Sequence, residues 1–320
     1  MAKRAAPAYI GAMTTRLYSH PVYAEHLVPA GHPERPDRMK AVAKALSGEE
    51  FGALDRVTSP LGRVDDILLA HPEDYLRRVE YSMPEEGLVR IDADTVASPK
   101  SWEAALTAFG AATAAVDDVL EGRADNVFVA ARPPGHHAEK NRAMGFCLFN
   151  NAAIAARHAQ RVHGVERVAI VDWDVHHGNG TQDIFWSDPT VLYCSTHQMP
   201  LYPGSGAKDE TGAGNIVNAP LSPGSGGAEF RGAFQDRVLP ALENFRPDLI
   251  IISAGFDAHW RDPLAEIELD ENDFDWATGK LMDMAGRYSG NRVVSLLEGG
   301  YDLTGLGASV AAHVKRLMKG

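Results

Sequence analysis

Four short apolar segments of this chain each lead directly into a cluster of polar residues and glycines. The segments begin at Asn126, Val168, Leu249 and Val293. The clusters that follow them read RPPGHH, DWDVHHGNG, SAGFDAH and EGGYD. Helical patterns alternate with the segments, notably residues 101–121 before the first segment and residues 151–163 between the first and the second. Apolar strands that alternate with helices are typical of a parallel sheet covered by helices on both faces. We therefore predict a single α/β domain.

The cluster that follows the strand of residues 168–172 has charged side chains at alternate positions. Asp172, Asp174 and His176 are two residues apart, so an extended chain presents them on one face. Buried charges are costly unless they are paired or bind a cation. Solvated loop residues are the alternative interpretation. We favour a metal site, because parallel sheets bind ligands at the carboxyl ends of their strands, where the other clusters also lie.

Three residues of these clusters can supply the ligands of a catalytic metal ion. Asp174, His176 and Asp257 offer two carboxylates and one imidazole. Catalytic zinc sites have three protein ligands and keep one position open for water or substrate. Fe²⁺ and Co²⁺ accept the same ligands, so the residue types do not select the metal.

The remaining clusters hold groups that can move protons or stabilise negative charge. His136 and His137 can transfer protons to and from water and a leaving group. Tyr301 can donate its hydroxyl to a developing oxyanion. Each feature is weak alone, because histidine pairs are often incidental and a tyrosine after two glycines usually packs in a core. Together, at one edge of one sheet, they indicate metal-assisted amide hydrolysis.

A series of motifs runs in order from about Tyr18 to the C-terminus. It includes RPPGHHA, GFCLFNN, DWDVHHGNGTQ, LYPGSG, SAGFDAH and LEGGYD. These motifs resemble the histone deacetylase superfamily. The closest resemblance is to its class II branch, which includes bacterial histone deacetylase-like amidohydrolases and acetylpolyamine amidohydrolases. The resemblance implies an arginase-like α/β fold, with a central, mainly parallel sheet of about eight strands and helices on both faces.

The resemblance also implies roles for individual residues and two ions, Zn²⁺ and a structural K⁺. The implied zinc ligands are Asp174, His176 and Asp257. The implied catalytic residues are His137 as general base and acid, His136 as its electrostatic partner, and Tyr301 as the residue that polarises the carbonyl. The implied potassium ligands are Asp172, which also orients His136, Ser195, and the main-chain carbonyls of Asp174 and His176.

A substrate tunnel is implied by the same resemblance. Phe146 and Tyr202 resemble the aromatic walls that hold the acyl-lysine stem. Gly145 resembles the residue whose carbonyl receives the substrate amide N–H. Arg38 resembles the arginine of an internal channel through which acetate leaves.

The partner expected for His137 is an amide, Asn179, where class I members have aspartate. Class II members share the amide, so the difference does not argue against activity. It removes a negative charge beside His137 and should lower the proton affinity of that imidazole relative to an aspartate partner.

The sequence leaves two candidate substrates, acyl-lysine and acetylpolyamine. The vertebrate polyamine deacetylase of the superfamily has a glutamate gatekeeper shortly after the metal aspartate, and the matching position here resembles Leu264. Leucine there resembles the protein-deacetylase type. Glu25, Glu266 and the acidic surface could still hold a polyamine. We slightly favour lysine side chains.

Two further interpretations belong to other classes. A dinuclear manganese ureohydrolase of the same fold would need additional aspartates, but Ala258 and His259 follow Asp257. A non-catalytic acyl-lysine binder would be expected to lack the tyrosine or a histidine of the active site, and all are present.

Charge and cysteine content limit the partners and the compartment. The net charge of −12 disfavours a general nucleic-acid binder. No apolar run approaches the length of a membrane span. The two cysteines, Cys147 and Cys194, suit a reducing cytoplasm. Residues 1–13 are predicted to be a loose leader, and residues 14–320 are predicted to form the catalytic domain. The sequence does not determine the oligomeric state, and a homo-oligomer is compatible with it.

Several residues near the motifs receive separate predictions. His32 and His71 precede prolines and could lie at the rim of the site or simply in loops, and we favour loops. Asp92 and Asp94 are expected to cap a helix rather than hold the substrate backbone. His259 could lie at the rim of the site or in a loop. Residues 202–227 are rich in glycine, proline and serine and are expected to be irregular.

Overall fold

A central sheet between two layers of helices forms the body of the protein, which the computed structural model describes for residues 13–320. The strands of this part of the chain are β1 (Thr15–Ser19), β2 (Asp55–Thr58), β3 (Val89–Arg90), β4 (Val96–Ala97), β5 (Asn126–Val129), β6 (Val168–Asp172), β7 (Val191–Gln198), β8 (Ile216–Leu221), β9 (Leu249–Ala254) and β10 (Val293–Leu297). β3 and β4 form a separate antiparallel pair. The other strands form one sheet in the order β2-β1-β5-β10-β9-β6-β7-β8. All neighbouring strands of this sheet are parallel, which confirms the predicted fold.

Helices cover both faces of the sheet. The α-helices within residues 13–320 are α1 (Asp37–Ala45), α2 (Val64–Ile67), α3 (Glu73–Tyr81), α4 (Ser101–Leu120), α5 (Asn151–His163), α6 (Asn179–Phe185), α7 (Gly227–Ala233), α8 (Leu239–Phe245), α9 (Glu271–Tyr288) and α10 (Leu303–Lys319). Ile170 of β6 packs in the layer of α4 and α5, whereas its neighbours Ala169 and Val171 pack in the layer of α9 and α10. Successive side chains of a strand point to opposite faces, so a strand buried on both faces is apolar throughout.

The two strands at the edges of the sheet, β2 and β8, were not predicted from the sequence. β2 reads DRVT and alternates between half-buried and exposed residues. β8 lies inside residues 202–227, so the prediction of an irregular stretch there is wrong for Ile216–Leu221. An edge strand pairs on one side only and can carry polar residues. β2 therefore lacks an apolar run, and the apolar run of β8 is interrupted by Asn218.

The helical region of residues 227–245 is interrupted before Pro240. A π-helical turn at Phe234–Val238 separates α7 from α8. Proline has no backbone N–H to donate, so the regular helical hydrogen-bond pattern cannot run unchanged through this position.

The N-terminal leader is only partly within the described residues. Residues 1–12 of the predicted leader lie outside them. Met13 is partly buried and packs against the hydrophobic core. Among the described residues, the helices lack the combination of length and apolarity that a membrane crossing requires.

Candidate active site

The four polar clusters lie side by side at the carboxyl edge of the sheet. Their strands β5, β10, β9 and β6 are direct neighbours at the centre of the sheet. The Nδ1 atom of His176 is 3.1 Å from Asp174 Oδ1 and 3.1 Å from Asp257 Oδ2. One possible ligand atom from each residue lies within 4.8 Å of those of the other two. The topology therefore brings the three predicted metal ligands together.

Backbone N–H groups hold the two carboxylates in place. Gly299 donates to Asp174 Oδ2 at 2.8 Å, and Val175 donates to Asp257 Oδ1 at 2.9 Å. Position 299 requires glycine, because a Cβ atom there would lie 2.2 Å from Asp257 Oδ2. The turn after β10 thus approaches the carboxylates closely enough for its main chain to orient them.

The electrostatics of this group fit a bound cation. Burial and the nearby charge of Asp174 raise the pKa of Asp257 to about 7. Burial opposes a charge on His176, but hydrogen bonds with Asp174 and Asp257 raise the pKa of His176 to about 10. Two buried carboxylates require a positive charge beside them. The oxygen and nitrogen donors and their negative charge suit a divalent metal ion.

His136 lies between two carboxylates. Its Nδ1 atom is 3.0 Å from Asp172 Oδ2, and its Nε2 atom is 3.7 Å from Asp174 Oδ1. Burial opposes protonation, but Asp174 and Asp172 raise the pKa of His136 well above its ordinary value. The hydroxyl of Tyr193 also donates to Asp172 Oδ2, at 3.0 Å. The two carboxylates therefore favour the protonated form of His136.

His137 has the opposite electrostatic environment. Burial and the nearby His136 and His176 hold the pKa of His137 well below its ordinary value. Its Nδ1 atom is 2.8 Å from Asn179 Oδ1. The amide group of Asn179 donates in turn to Glu139 Oε1 at 2.7 Å, which fixes the amide oxygen toward the imidazole. His137 therefore donates from Nδ1 and keeps the lone pair of Nε2 free to accept a proton.

Two glutamates that position the histidines, Glu139 and Glu298, were not predicted as site residues. Glu139 orients Asn179, and nothing in the sequence pattern distinguishes it from a surface residue. Glu298 accepts the backbone N–H groups of Gly135 and His136 at 2.7 and 3.2 Å. Glu298 is completely buried, and its position directly after an apolar strand, in the EGGYD cluster, was the available signal.

Aromatic residues surround the approach to the metal ligands. The ring of Tyr301 lies 5.9 Å from that of Phe146, and the ring of Tyr202 lies 5.2 Å from that of His137. Gly145, with φ of +57°, is in direct contact with His137, since a Cβ atom there would lie 2.3 Å from the imidazole. Gly145 and Tyr202 thus lie beside His137, and Phe146 lies beside Tyr301.

Comparison with known proteins identifies the family. The Histone deacetylase domain matches residues 32–317. The chain belongs to the histone deacetylase family. It is 43% identical over 278 residues to the Histone deacetylase-like amidohydrolase of Pseudomonas aeruginosa, in an alignment that covers 85% of this chain and 73% of that protein. It is 38% identical over 300 residues to a Probable deacetylase of Archaeoglobus fulgidus, covering 92% and 83% of the two chains.

A solved structure supports the same assignment. The crystal structure of the HDA15 HD domain superposes with a TM-score of 0.90 at 38% identity, covering 96% of this chain and 88% of that one. The predicted resemblance is confirmed, and the protein is a hydrolytic deacetylase enzyme that acts on acylated amines. The family is generally metal-dependent, and the structure contains candidate metal-binding groups.

Arg38 lies beneath the active site of this deacetylase. It is fully buried, and its guanidinium donates to the carbonyls of Gly300 at 2.7 Å and Glu298 at 2.5 Å and to Glu34 Oε1 at 3.0 Å. Its Cζ atom lies 5.1 Å from the centre of the Tyr301 ring. Arg38 therefore supports the turn that carries Tyr301, and its place in an internal channel stays a prediction.

Asp262 is a further residue of the site that was not predicted from the sequence. Its Oδ2 atom accepts the backbone N–H of Tyr301, and its Oδ1 atom accepts that of Leu264 at 3.1 Å. The turn after β10 is thereby joined to the loop after β9. Leu264, the predicted gatekeeper, is half-buried in that loop.

Asp92 and Asp94 contact the loop that carries Gly145. Asp94 accepts the backbone N–H of Gly145 at 3.0 Å, and Asp92 pairs with Arg142 at 3.1 Å. The prediction that these aspartates cap a helix is wrong, because α4 begins only at Ser101. They hold the loop that carries Gly145.

The three outer histidines are less exposed than loop residues usually are. The ring of His32 lies 4.7 Å from that of Phe146, so His32 lines the aromatic approach. His71 is buried and its Nε2 atom accepts the backbone N–H of Asn150 at 2.9 Å. His259 is buried and its Nε2 atom is 3.4 Å from Glu271 Oε1, which excludes the rim position for its side chain.

Proposed function

We propose that this deacetylase is a zinc-dependent amidohydrolase that removes an acetyl group from acyl-lysine or a related acylated amine. The convergence of Asp174, His176 and Asp257 beside His137 carries the proposal. These three residues would hold one catalytic ion per chain, and Fe²⁺ or Co²⁺ would suit the same donors. When bound, the ion supplies Lewis-acid polarisation of the acyl carbonyl and increases the acidity of water.

The side chains of the protein divide the proton transfers among them. His137 Nε2 takes a proton from the attacking water, because Nδ1 is engaged by Asn179. The hydroxide oxygen forms the new bond to the acyl carbon, and the Tyr301 hydroxyl donates to the oxyanion. His137 then returns the proton to the amine nitrogen as the C–N bond breaks. The immediate products are a carboxylic acid and a free amine, and transfer of the acid proton to the amine gives a carboxylate and an ammonium ion. His136, protonated beside Asp172, stabilises the negative charge that develops on the way.

The substrate is positioned by the loop that Asp94 holds. The Gly145 carbonyl accepts the amide N–H of the substrate, and Phe146 and Tyr202 flank its stem. Tyr202 is 39% exposed, so the tunnel opens to solvent at this side chain. A flexible aliphatic stem with an acylated amine at its end, such as acyl-lysine, matches an aromatic approach that leads to buried charges.

We also propose a structural potassium ion beside the active site. Asp172 and Ser195 are directly opposite each other on β6 and β7. Within residues 13–320, the main-chain carbonyls of Asp174 and His176 accept no hydrogen bond. Oxygen donors from two adjacent strands and one turn suit a monovalent cation that prefers oxygen ligands.

Two alternatives make different demands on the site. An acetylpolyamine deacetylase needs acidic residues at the tunnel mouth, and Leu264 disfavours that alternative while Glu266 leaves it open. A non-catalytic acyl-lysine binder would not require the opposed electrostatic states of His136 and His137.

We further propose that the protein acts in the cytoplasm, because both cysteines are unpaired, and that it binds neither nucleic acid nor membrane.

A substrate panel tests the proposal. Purified protein freed of metal with a chelator and reloaded with Zn²⁺ would be assayed with acetyl-lysine peptides, longer acyl-lysine peptides and acetylspermidine. We expect hydrolysis that depends on added metal and is fastest with an acyl-lysine peptide. Faster turnover of acetylspermidine would select the polyamine alternative, and binding without hydrolysis in every case would select the binder. Release of urea from arginine would instead reveal a ureohydrolase.

A further inference from the structure

A second group of metal-ligating side chains lies where the C-terminal ends of α4 and α5 meet. Asp117 belongs to the last turn of α4, and His158 and His163 belong to α5. The Nε2 atoms of both histidines are directed at one oxygen, Asp117 Oδ1, at 2.7 and 2.6 Å. One ligand atom from each residue lies within 4.8 Å of the other two, the same closeness that Asp174, His176 and Asp257 show.

This group is separate from the active site. Asn151 at the start of α5 donates to the carbonyl of Pro133, next to the catalytic histidines. His163 is the last of the 13 residues of α5. At 1.5 Å per residue the helix places the two ends about 18 Å apart. A cavity of about 360 Å³ adjoins His163 and is lined by Asp248 and Arg292, which precede β9 and β10 at the amino edge of the sheet.

The local electrostatics favour a cation at this position. Two helices end here, and the C-terminal end of a helix carries partial negative charge. Asp117 adds a carboxylate whose side chain is 31% exposed, so an ion can enter from solvent. The Oδ2 atom of Asp117 has no hydrogen-bond partner in the described part of the chain. It is free to join the coordination of an ion.

The two imidazoles offer matching nitrogen atoms. His158 Nδ1 is buried and has no hydrogen-bond partner among residues 13–320, so Nε2 is the atom available for binding. Both imidazole Nε2 atoms are directed at the same oxygen, Asp117 Oδ1, so the three possible ligand atoms already point toward one position. Bonds of 2.0–2.1 Å around zinc place tetrahedral ligand atoms about 3.3 Å apart. Each imidazole nitrogen would have to move about 0.6 Å away from Asp117 Oδ1 to make room for the ion. Rotation of the side chains can supply a movement of this size.

We propose that Asp117, His158 and His163 form a peripheral binding site for a divalent transition metal ion of the zinc type. The site joins α4 to α5 on the side of the sheet away from the chemistry. Three protein ligands leave room for water, as the partial exposure of the residues allows. The function of the ion here is structural, because no group of the active site contacts this cluster.

Metal stoichiometry tests the proposal. Protein treated with a chelator would be dialysed against micromolar Zn²⁺, and bound zinc would be measured by elemental analysis. We expect two equivalents for the wild-type protein, one for His163→Gln and one for Asp257→Asn, which lacks a ligand of the active site. The double variant should bind none. His20→Gln, a histidine substitution outside both clusters, should keep two equivalents.

Thermal unfolding gives an independent readout. Zn²⁺ added to Asp257→Asn should raise its unfolding midpoint through the intact peripheral site, and the same addition to the double variant should not. If His163→Gln does not fold, Asp117→Asn replaces it, and the Asp257→Asn protein still tests the site with all three ligands present. A single equivalent in the wild type that is lost in Asp257→Asn would overturn the proposal, as would two equivalents in folded His163→Gln. Neither result depends on whether the enzyme hydrolyses acyl-lysine.

Discussion

The carboxylate of Asp262 accepts the backbone N–H of Tyr301 at 2.7 Å. The same oxygen accepts the N–H of Asp302 at 3.2 Å, so it holds two successive residues of the turn after β10. The Tyr301 ring is otherwise in contact with Phe146 and with the guanidinium of Arg38. Asp262 is therefore a positioning residue for Tyr301, and it also holds the backbone of Leu264.

Replacement of Asp262 by alanine should lower kcat without comparable loss of substrate binding. A displacement of about 1 Å in a reacting group can cost about 100-fold in rate, so we expect a decrease in kcat of about 10- to 100-fold. Steady-state kinetics would separate kcat from KM, and elemental analysis would show that the metal content is unchanged. Asp65→Ala, at an exposed aspartate, is the matched control. An equal rise in KM with kcat unchanged would contradict the positioning role.

Removal of the Tyr301 hydroxyl should abolish most hydrolysis. Loss of one donor to an oxyanion typically costs about 10²–10³ in kcat. We expect Tyr301→Phe to show this decrease while it binds an acetyl-lysine peptide as tightly as the wild type, measured by calorimetry. The phenyl ring of this variant would retain the contacts of the tyrosine ring, so the fold should be unaffected. A variant with wild-type kcat would exclude Tyr301 from oxyanion stabilisation.

The strands β5, β6, β9 and β10 were predictable because each is buried on both faces and is mostly apolar. The edge strands β2 and β8 were not, since β2 is partly exposed and polar and the apolar run of β8 is interrupted by Asn218. The metal ligands were predictable for a related reason: Asp174, His176 and Asp257 each follow a recognisable strand, and parallel strands deliver their ends to one edge. Asp262 and Glu139 were not, because their contacts depend on how two irregular loops approach each other in space. No sequence period encodes that approach.

Exchange of the amide beside His137 for a carboxylate should change the pH dependence of kcat/KM. An aspartate at position 179 favours the protonated imidazole and raises the pKa of His137, which must be unprotonated to accept a proton from water. The acidic limb of the profile should therefore move to higher pH. Asn179 contacts Glu139, so Asn179→Asp would place two carboxylates together. We expect the clearest shift in the double variant Asn179→Asp/Glu139→Gln, with Glu139→Gln as the control.

An unchanged acidic limb in the double variant would show that the group at position 179 does not tune His137. A shift to lower pH would contradict the assigned direction.

A glutamate at position 264 should favour cationic substrates. The loop that carries Leu264 is joined to the Tyr301 turn by Asp262. A carboxylate there could pair with the free ammonium groups of acetylspermidine, and solvent-exposed ion pairs contribute up to about 1 kcal/mol. We expect Leu264→Glu to raise kcat/KM for acetylspermidine relative to an acetyl-lysine peptide by up to about fivefold. Leu264→Gln separates charge from shape, and an equal change in both variants would exclude a gatekeeper charge.

The stability of the protein in acid should depend on Glu34. This carboxylate is fully buried, accepts from Arg38 at 3.0 Å and from Arg132 Nη2 at 2.7 Å, and lies 3.7 Å from His26. Burial opposes its charge, but Arg132 and Arg38 lower the pKa of Glu34 from 4.5 to about 2. The unfolded chain therefore takes up this proton first as the pH falls. The contribution of Glu34 to stability is complete above about pH 4.5 and is lost as the pH approaches 2.

Urea unfolding of Glu34→Gln between pH 7 and pH 3 tests this dependence. At pH 7 the variant should be less stable by about 3–5 kcal/mol, because two buried guanidinium groups lose their partner. Below pH 4.5 the difference from the wild type should narrow, since only the wild type loses the Glu34 contribution there. Burial lowers the pKa of His26 to about 4, so both proteins also lose stability between pH 6.5 and 4. Glu73→Gln, at an exposed glutamate, should follow the wild-type curve. Parallel curves for Glu34→Gln and the wild type from pH 4.5 downward would show that Glu34 does not titrate with unfolding.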